Sequence, residues 1–395
     1  MNIIDRSRRL RVAFVTSHPI QYQVPIFRIL ANHPALDFTV LFGQIPDPKT
    51  QGEGFGKEFQ WDIPLLSGYR YEVLTNVSQE PSVTRFVGCD TPDIVPRIKT
   101  GDFDVIVVNG WGMKSSLQAL WACQRYNVPC LVRGEANDIR PRAWWKRLIQ
   151  RQLVHRYAAC LYIGQASKAF YENRGVSPER LFPSLYCVDN DRFESATQRI
   201  GRMEARKQFG LRSDSTVFLF SGKLVPKKHP LELLESVAAI SRRNTGLEVL
   251  IVGDGELRER CEQLVASRQL PVRFAGFLNQ SQIVNAYVAS NCIVLPSDHG
   301  ETWGLVVNEA MACGCPAIVS DQVGCSADLI SPGHTGNVFR FGAWNELSEM
   351  LEICSTQSSI LRQWGDNAKL RIKSYSPSAA ADGMYTAIRF ACGIS

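Results

Sequence analysis

Cys292-Ile-Val-Leu-Pro296-Ser-Asp-His-Gly-Glu301-Thr-Trp303-Gly304-Leu305-Val-Val-Asn-Glu309-Ala-Met-Ala-Cys-Gly314-Cys-Pro316 holds a short apolar run, a polar loop and a second apolar run. The first run, Cys292–Pro296, has a strand's length and composition. The second reads as a helix over Val307–Ala312. Strand, loop and helix in that order are one half of a βαβ unit, and the pattern recurs on both sides.

Outward from this stretch, the chain predicts strands at Thr216–Ser221, Glu248–Val252, Val272–Ala275 and Ala317–Ser320, with helices at Pro230–Arg242, Glu256–Ser267 and Ser281–Ser290. An earlier, separate series gives strands at Val12–Ser17, Phe38–Phe42, Asp104–Asn109, Cys130–Arg133 and Ala159–Ile163. Its helices are expected at Val24–Asn32, Ser115–Tyr126 and Trp144–Tyr157. A polar stretch near Asp189–Ser213, with one short helix, separates the two series. The expectation is α/β: two doubly wound, Rossmann-like domains, 1–197 and 198–375, with a cleft between them. A terminal helix in 376–395 is expected to return to the first domain. In such sheets ligands sit beyond the carboxyl ends of the strands.

The length of 395 residues exceeds one ordinary core, which also favours two domains. No apolar run reaches about 18 residues, so no transmembrane helix is expected. Arginines precede a short apolar run at the start, but that run ends in Ser17-His18-Pro19 and reads better as a first strand than as a leader, so the chain is expected in the cytosol. The net charge of +6 favours anionic partners without choosing one. Nucleic acid fits poorly, because the basic residues are dispersed and no recognised binding signature is present. The 12 cysteines lie mostly in apolar runs, as Cys130, Cys160 and Cys292 do, and are expected as reduced core thiols. Cys313-Gly-Cys315 has no second pair at zinc-ligand spacing, so no metal is expected.

Chemistry concentrates after the strands of the second series. Glu301 stands in a loop and Glu309 one to two turns into the next helix. The amides of Trp303, Gly304 and Leu305 fall at the helix start, where free N–H groups and the dipole favour a phosphate. Carboxylates do not bind an anion; they accept hydrogen bonds from hydroxyls, such as those of a sugar and a ribose. A helix cap plus a solvated glutamate is the ordinary explanation of such a pair. Its surroundings argue otherwise. Gly222-Lys223-Leu-Val-Pro-Lys-Lys228-His229 sets two ammonium groups after another strand, where they can neutralise a diphosphate. Gly253-Asp254-Gly255 and Gly276-Phe277 follow two further strands, the latter where a nucleotide base can stack; each is weak alone.

Together these residues resemble the C-terminal domain of retaining glycosyltransferase family 4, of the two-Rossmann GT-B architecture. The resemblance rests on the seven-residue spacing between Glu301 and Glu309, the Gly222-Lys223…Lys228 loop, Gly253-Asp254-Gly255, Gly276-Phe277 and the run Glu309–Pro316. It implies two domains facing across a deep cleft and a nucleotide diphosphate-sugar donor, with UDP-sugars favoured. It further implies Lys223 and Lys228 on the diphosphate, Glu309 on the ribose, Glu301 on the transferred sugar, and neither metal nor cofactor. Lys223 departs from the family's usual arginine, losing its bidentate fork.

In the first half, His18 is a candidate acceptor or sugar contact, or else caps its own loop; the family's Gly-Gly pair is absent there. Asn109 follows another strand, and Trp111 can either stack on a sugar or cap the sheet. Glu135 stands where relatives carry a sugar-contacting histidine, with Asn137 and Asp138 as neighbours. The segment 140–157 holds six cationic residues and no acid. It is read either as docking on an anionic membrane, which suits a lipid-linked or glycan acceptor and a peripheral location, or as a surface helix packing Leu148, Leu153 and Val154 on the sheet. A nucleotide-sugar epimerase of the same architecture and a non-catalytic scaffold are the competing readings.

Overall fold

The computed structural model describes residues 8–52 and 58–394. Its residues group into two units. One comprises Pro64–Tyr186 with the flanking segments 8–51 and 376–394; the other comprises Cys187–Tyr375 with the short segment 58–63. The main division thus falls between 186 and 187, eleven residues before the position read from the sequence (197 minus 186).

The first unit is a seven-stranded parallel sheet: β1 (Leu10–Thr16), β2 (Leu36–Phe42), β3 (Arg70–Val73), β4 (Val105–Asn109), β5 (Cys130–Gly134), β6 (Ala159–Tyr162) and β7 (Leu181–Pro183). Their spatial order is β3-β2-β1-β4-β5-β6-β7. The order reverses between β1 and β4, which pair directly. β4 and β5 are buried nearly throughout, as strands covered by helices on both faces must be. Helix Pro377–Ala391 packs on helix Val24–Ala31 and against β5, β6 and β7.

The second unit repeats the plan with six parallel strands: β8 (Thr216–Ser221), β9 (Leu247–Val252), β10 (Val272–Gly276), β11 (Cys292–Leu295), β12 (Ala317–Ser320) and β13 (Gly336–Phe339). The order is β10-β9-β8-β11-β12-β13, reversing between β8 and β11. Every residue of β8, β9, β11 and β12 is buried. Phe218, Phe220, Val249, Ile251 and Val294 pack with Leu233, Leu234 and Val237 of helix Pro230–Ser241. Each such side chain contributes about 1.5–3 kcal/mol when fully buried.

The segment 58–63 returns to this unit from far away in sequence. Phe59 packs its ring 4.4 Å from that of Phe277, the Asn279 amide donates to the Gln60 carbonyl at 2.7 Å, and Asp62 accepts from the Ser281 amide at 3.1 Å. All 12 cysteines are free thiols, and all but Cys313 and Cys392 are buried. Among the described residues no helix is long and apolar enough to cross a membrane.

Candidate functional site

Both units reverse their strand order at one place, and a crevice opens there beyond the strand ends. In the second unit that place lies between β8 and β11, so the loops after them are neighbours. The β8 loop runs from Gly222 through a short 3-10 turn at Pro226–Lys228 to His229, which has positive φ (51°) and leads into helix Pro230–Ser241.

This loop grips the β11 loop along its length. The Asp298 amide donates to the Lys227 carbonyl at 3.0 Å, and the Lys227 ammonium to the Gly300 carbonyl at 3.2 Å. His229 lies between two carboxylates, 3.1 Å from Glu232 and 3.6 Å from Asp298. The hydrogen bond to Glu232 and both negative charges raise its pKa above the ordinary histidine value. Lys228 forms an ion pair with Glu301, both side chains mostly shielded from solvent. The lysine stem also lies over Gly222, where an added Cβ would stand 3.5 Å from its Cε. Two residues 73 positions apart (301 minus 228), each singled out from sequence, therefore meet in one ion pair. Lys223 stands at the end of the same strand, immediately after Gly222.

A third loop, after β12, fixes the base of the site. The Gly324 amide donates to the Glu301 carbonyl at 3.1 Å and the Cys325 amide to the Trp303 carbonyl at 2.9 Å. The helix after Glu301 spans Leu305–Ala312, beginning two residues before the start read from the sequence. Gly304 caps it with φ of 101°, a conformation that favours glycine. The first amides of that helix have no intrahelical acceptor and point outward from its N-terminus. Trp303 serves a packing role with its side chain: the indole is buried and donates to Asn308 at 2.8 Å.

Glu309 is buried in the second turn. It accepts from the Tyr287 hydroxyl at 2.6 Å and the Gln280 amide at 3.4 Å. Burial raises its pKa, opposed by those two donors and by the charge of Arg192. Arg192 in turn holds Gln280 in place through its carbonyl at 2.9 Å and its side-chain oxygen. The sequence reading missed Tyr287 on helix Ile283–Ala289, Gln280 in the turn before it and Arg192 on helix Asn190–Thr197, none of which carries a local signal.

Gly253-Asp254-Gly255 acquires a structural explanation. The Leu224 amide donates to the Asp254 carbonyl at 2.8 Å, locking the β9 loop onto the β8 loop. A Cβ on Gly253 would stand 1.9 Å from the Gly222 carbonyl oxygen, and its φ is 125°. The Asp254 carboxylate accepts from the Gly255 amide at 2.9 Å. Phe277, expected to meet a base, has its ring against Phe59.

In the first unit the reversal lies between β1 and β4. Their loops border a cavity of about 470 Å³ lined by His18, Tyr22, Asn109, Trp111, Glu135 and Gln150, among others. His18 meets the Ser17 hydroxyl at 2.9 Å, and burial lowers its pKa to about 4, so its ring is neutral near pH 7. Asn109 donates to Thr16 at 3.3 Å. Trp111 lines the cavity and also stacks on Phe170, 6.0 Å between centroids, so it packs the sheet end as well. Glu135 accepts from the hydroxyls of Tyr186 and, at 3.4 Å, Tyr22. Buried Arg133 lies under the Tyr186 ring at 4.8 Å and donates to Ser184. Of the alternatives to Glu135, Asp138 is engaged by Arg174 in an ion pair, and Asn137 is buried with its side-chain oxygen accepting from the Ile139 amide at 3.2 Å. Glu135 alone of the three borders the cavity.

Residues 201–371 match the family described as Glycosyl transferases group 1. An alpha-D-kanosaminyltransferase of Streptomyces kanamyceticus is 28% identical over 245 residues, 60% of this chain and 63% of that protein. A D-inositol 3-phosphate glycosyltransferase of Gordonia bronchialis is 30% identical over 221 residues, 53% of this chain and 47% of that protein. The matched stretch thus spans about half to under two thirds of these relatives. Among solved structures, a glycosyltransferase from Rickettsia africae superposes with a TM-score of 0.75 at 14% identity, covering 98% of this chain and 100% of that one. Anabaena HepE, in complex with UDP and glucose, gives 0.71 at 17%, covering 96% and 99%. The fold is GT-B, and within it residues 201–371 are similar to the glycosyl transferases group 1 family.

Proposed function

We propose that the chain is a retaining, metal-independent hexosyl-type glycosyltransferase of family 4, moving a sugar from a nucleotide diphosphate-sugar to a glycan, lipid-linked or small-molecule acceptor in the cytoplasm. UDP-sugars are the favoured donors; HepE, which shares the fold, holds UDP and glucose. The observation that carries the reading is the Lys228–Glu301 ion pair at the junction of the β8 and β11 loops.

An ammonium and a carboxylate held side by side are each placed to meet a different part of a donor. Lys228 exchanges Glu301 for the diphosphate, aided by Lys223, and Glu301 is then available to accept hydrogen bonds from the sugar's hydroxyls. Glu309, held by Tyr287, retains acceptor capacity for the ribose. During transfer the acceptor oxygen bonds the anomeric carbon as its bond to the β-phosphate oxygen breaks. That departing oxygen takes the acceptor proton, so no protein base is obligatory. The two lysines stabilise the charge as it develops, which is where electrostatic catalysis is strongest. His18, Asn109 and Trp111, in the cavity of the first unit, are the acceptor or sugar contacts in this reading, and Glu135 beside them contacts the transferred sugar.

The test is calorimetric titration and turnover on paired variants. Lys228→Ala is expected to weaken UDP binding by about 10–100-fold, with uridine affected little. Glu301→Gln is expected to lower turnover about 100–1,000-fold with a smaller change in UDP affinity. Equal losses for UDP and uridine in the first variant, or unchanged turnover in the second, would overturn the assignment.

A further inference from the structure

The helix Trp144–Val154 is built inside out. On a surface helix the apolar side chains ordinarily face the core and the polar ones face water. Here Trp144 is 74% exposed, Ile149 60%, Leu148 52% and Trp145 48%, while Val154 is fully buried. Leu148 is therefore not packed on the sheet, as one reading of the sequence had it.

At about 100° per residue, Trp144, Leu148, Gln152, Trp145 and Ile149 span roughly 140° of one side. Val154 and half-buried Gln150 and Leu153 occupy the opposite side. Arg147 and Arg151 border the apolar stripe along one edge and Lys146 along the other, all three exposed. Arg140 precedes the helix, and Arg156 follows it, its guanidinium 4.9 Å over the exposed ring of Trp121. No acidic residue interrupts the segment 140–157.

We propose that this helix docks the protein on an anionic phospholipid surface. Tryptophan, leucine and isoleucine enter the headgroup–acyl boundary, and the flanking cations remain at the level of the lipid phosphates. The charge pattern selects this occupant. So does size: the helix is about 16 Å long and about 10 Å across, far below the ~800 Å² that each partner buries in a standard protein–protein interface.

The inner side of the same segment borders the cavity of the first unit. Arg142 and Gln150 line it together with His18, Trp111 and Glu135. Docking therefore sets that cavity beside the headgroups, which suits an acceptor carried on a lipid. This consequence rests on the transferase reading; the docking itself does not.

Vesicle flotation with the full chain tests the proposal, using vesicles of phosphatidylcholine alone and vesicles containing about one-third phosphatidylglycerol. The protein is expected to float with the anionic vesicles, less so as salt is raised. Arg147→Glu/Arg151→Glu should lower the partition by more than tenfold, at about fivefold for each cation lost near the surface. Trp144→Ser/Ile149→Ser should lower it about tenfold or more, with circular dichroism and UDP affinity unchanged. Flotation retained by both variants, or equal flotation on the two vesicle types, would overturn the proposal. So would a failure to float accompanied by a concentration-dependent dimer that the variants abolish, which would assign the face to a second copy. Flotation needs no nucleotide, so it decides docking whatever becomes of the transferase assignment.

Discussion

The two units share one topology and use their reversal points in opposite ways. At the β8/β11 reversal the loops are bound to each other, through the Lys227–Asp298 and Lys227–Gly300 contacts and the Lys228–Glu301 pair, and the Leu224–Asp254 link ties the β9 loop to them. At the β1/β4 reversal the loops stand apart around a cavity, with a neutral histidine, an indole and a tyrosine-held carboxylate on its walls. A site built on paired charges must be rigid, because its energy depends on donor and acceptor being placed before the ligand arrives. An open cavity with few fixed charges leaves room for ligands of different shape. The comparison teaches that one fold can join the loops at one reversal by ion pairs and open a cavity at the other.

The strongest way to break this contrast is to loosen the bound side. Gly253→Val places side-chain atoms against the Gly222 carbonyl at a backbone angle valine does not adopt. It is expected to cost about 3 kcal/mol or more in urea denaturation and to abolish UDP binding. A fully stable, nucleotide-binding variant would show that the β8–β9 lock is dispensable.

A pH profile sharpens the contrast, because the two sides titrate with opposite sign. The pKa of His18 is lowered to about 4, so its contribution to stability is present above its unfolded value near 6.5 and is lost as pH falls through about 4. With solvent in the open cavity this amounts to about 2 kcal/mol. Glu309 has a raised pKa, so its contribution is present below the ordinary carboxylate value and is lost as pH rises through the raised one. Denaturation midpoints should thus fall less steeply toward acid in His18→Gln, and fall less toward neutrality in Glu309→Gln, than in the parent protein. Parallel profiles for parent and variants would remove the contrast.

The smallest effect is expected on the open side. Tyr186→Phe takes one donor from Glu135 and leaves Tyr22, a change of about 1 kcal/mol. Turnover should fall a few-fold with UDP affinity unaltered; a fall in UDP affinity would mean that Glu135 does not act on the transferred sugar.

The central strands were legible because each is a continuous apolar run, the mark of a strand covered on both faces: Thr216–Ser221 and Leu247–Val252 are buried at every position. The strands that escaped reading are short and lie at or toward the sheet edges. Arg70-Tyr-Glu-Val73, Leu181-Phe-Pro183 and Gly336-Asn-Val-Phe339 are three or four residues long and carry charge, proline or glycine. Glu301, Lys228 and Glu309 were legible because each follows a strand whose end marks a ligand crevice.

By itself, then, the sequence determined the alternating α/β plan, the central strands and the carboxylates and lysines at their ends, since these depend on local periodicity and on position relative to a strand. Tertiary structure alone decided that Lys228 meets Glu301, that Tyr287, Gln280 and Arg192 hold Glu309, and that Phe59 covers Phe277 from more than two hundred residues away. It also decided that Trp144, Trp145, Leu148 and Ile149 face outward. These depend on which elements become neighbours and which face of a helix meets the sheet, and helical periodicity fixes only which residues share a face, not where that face points.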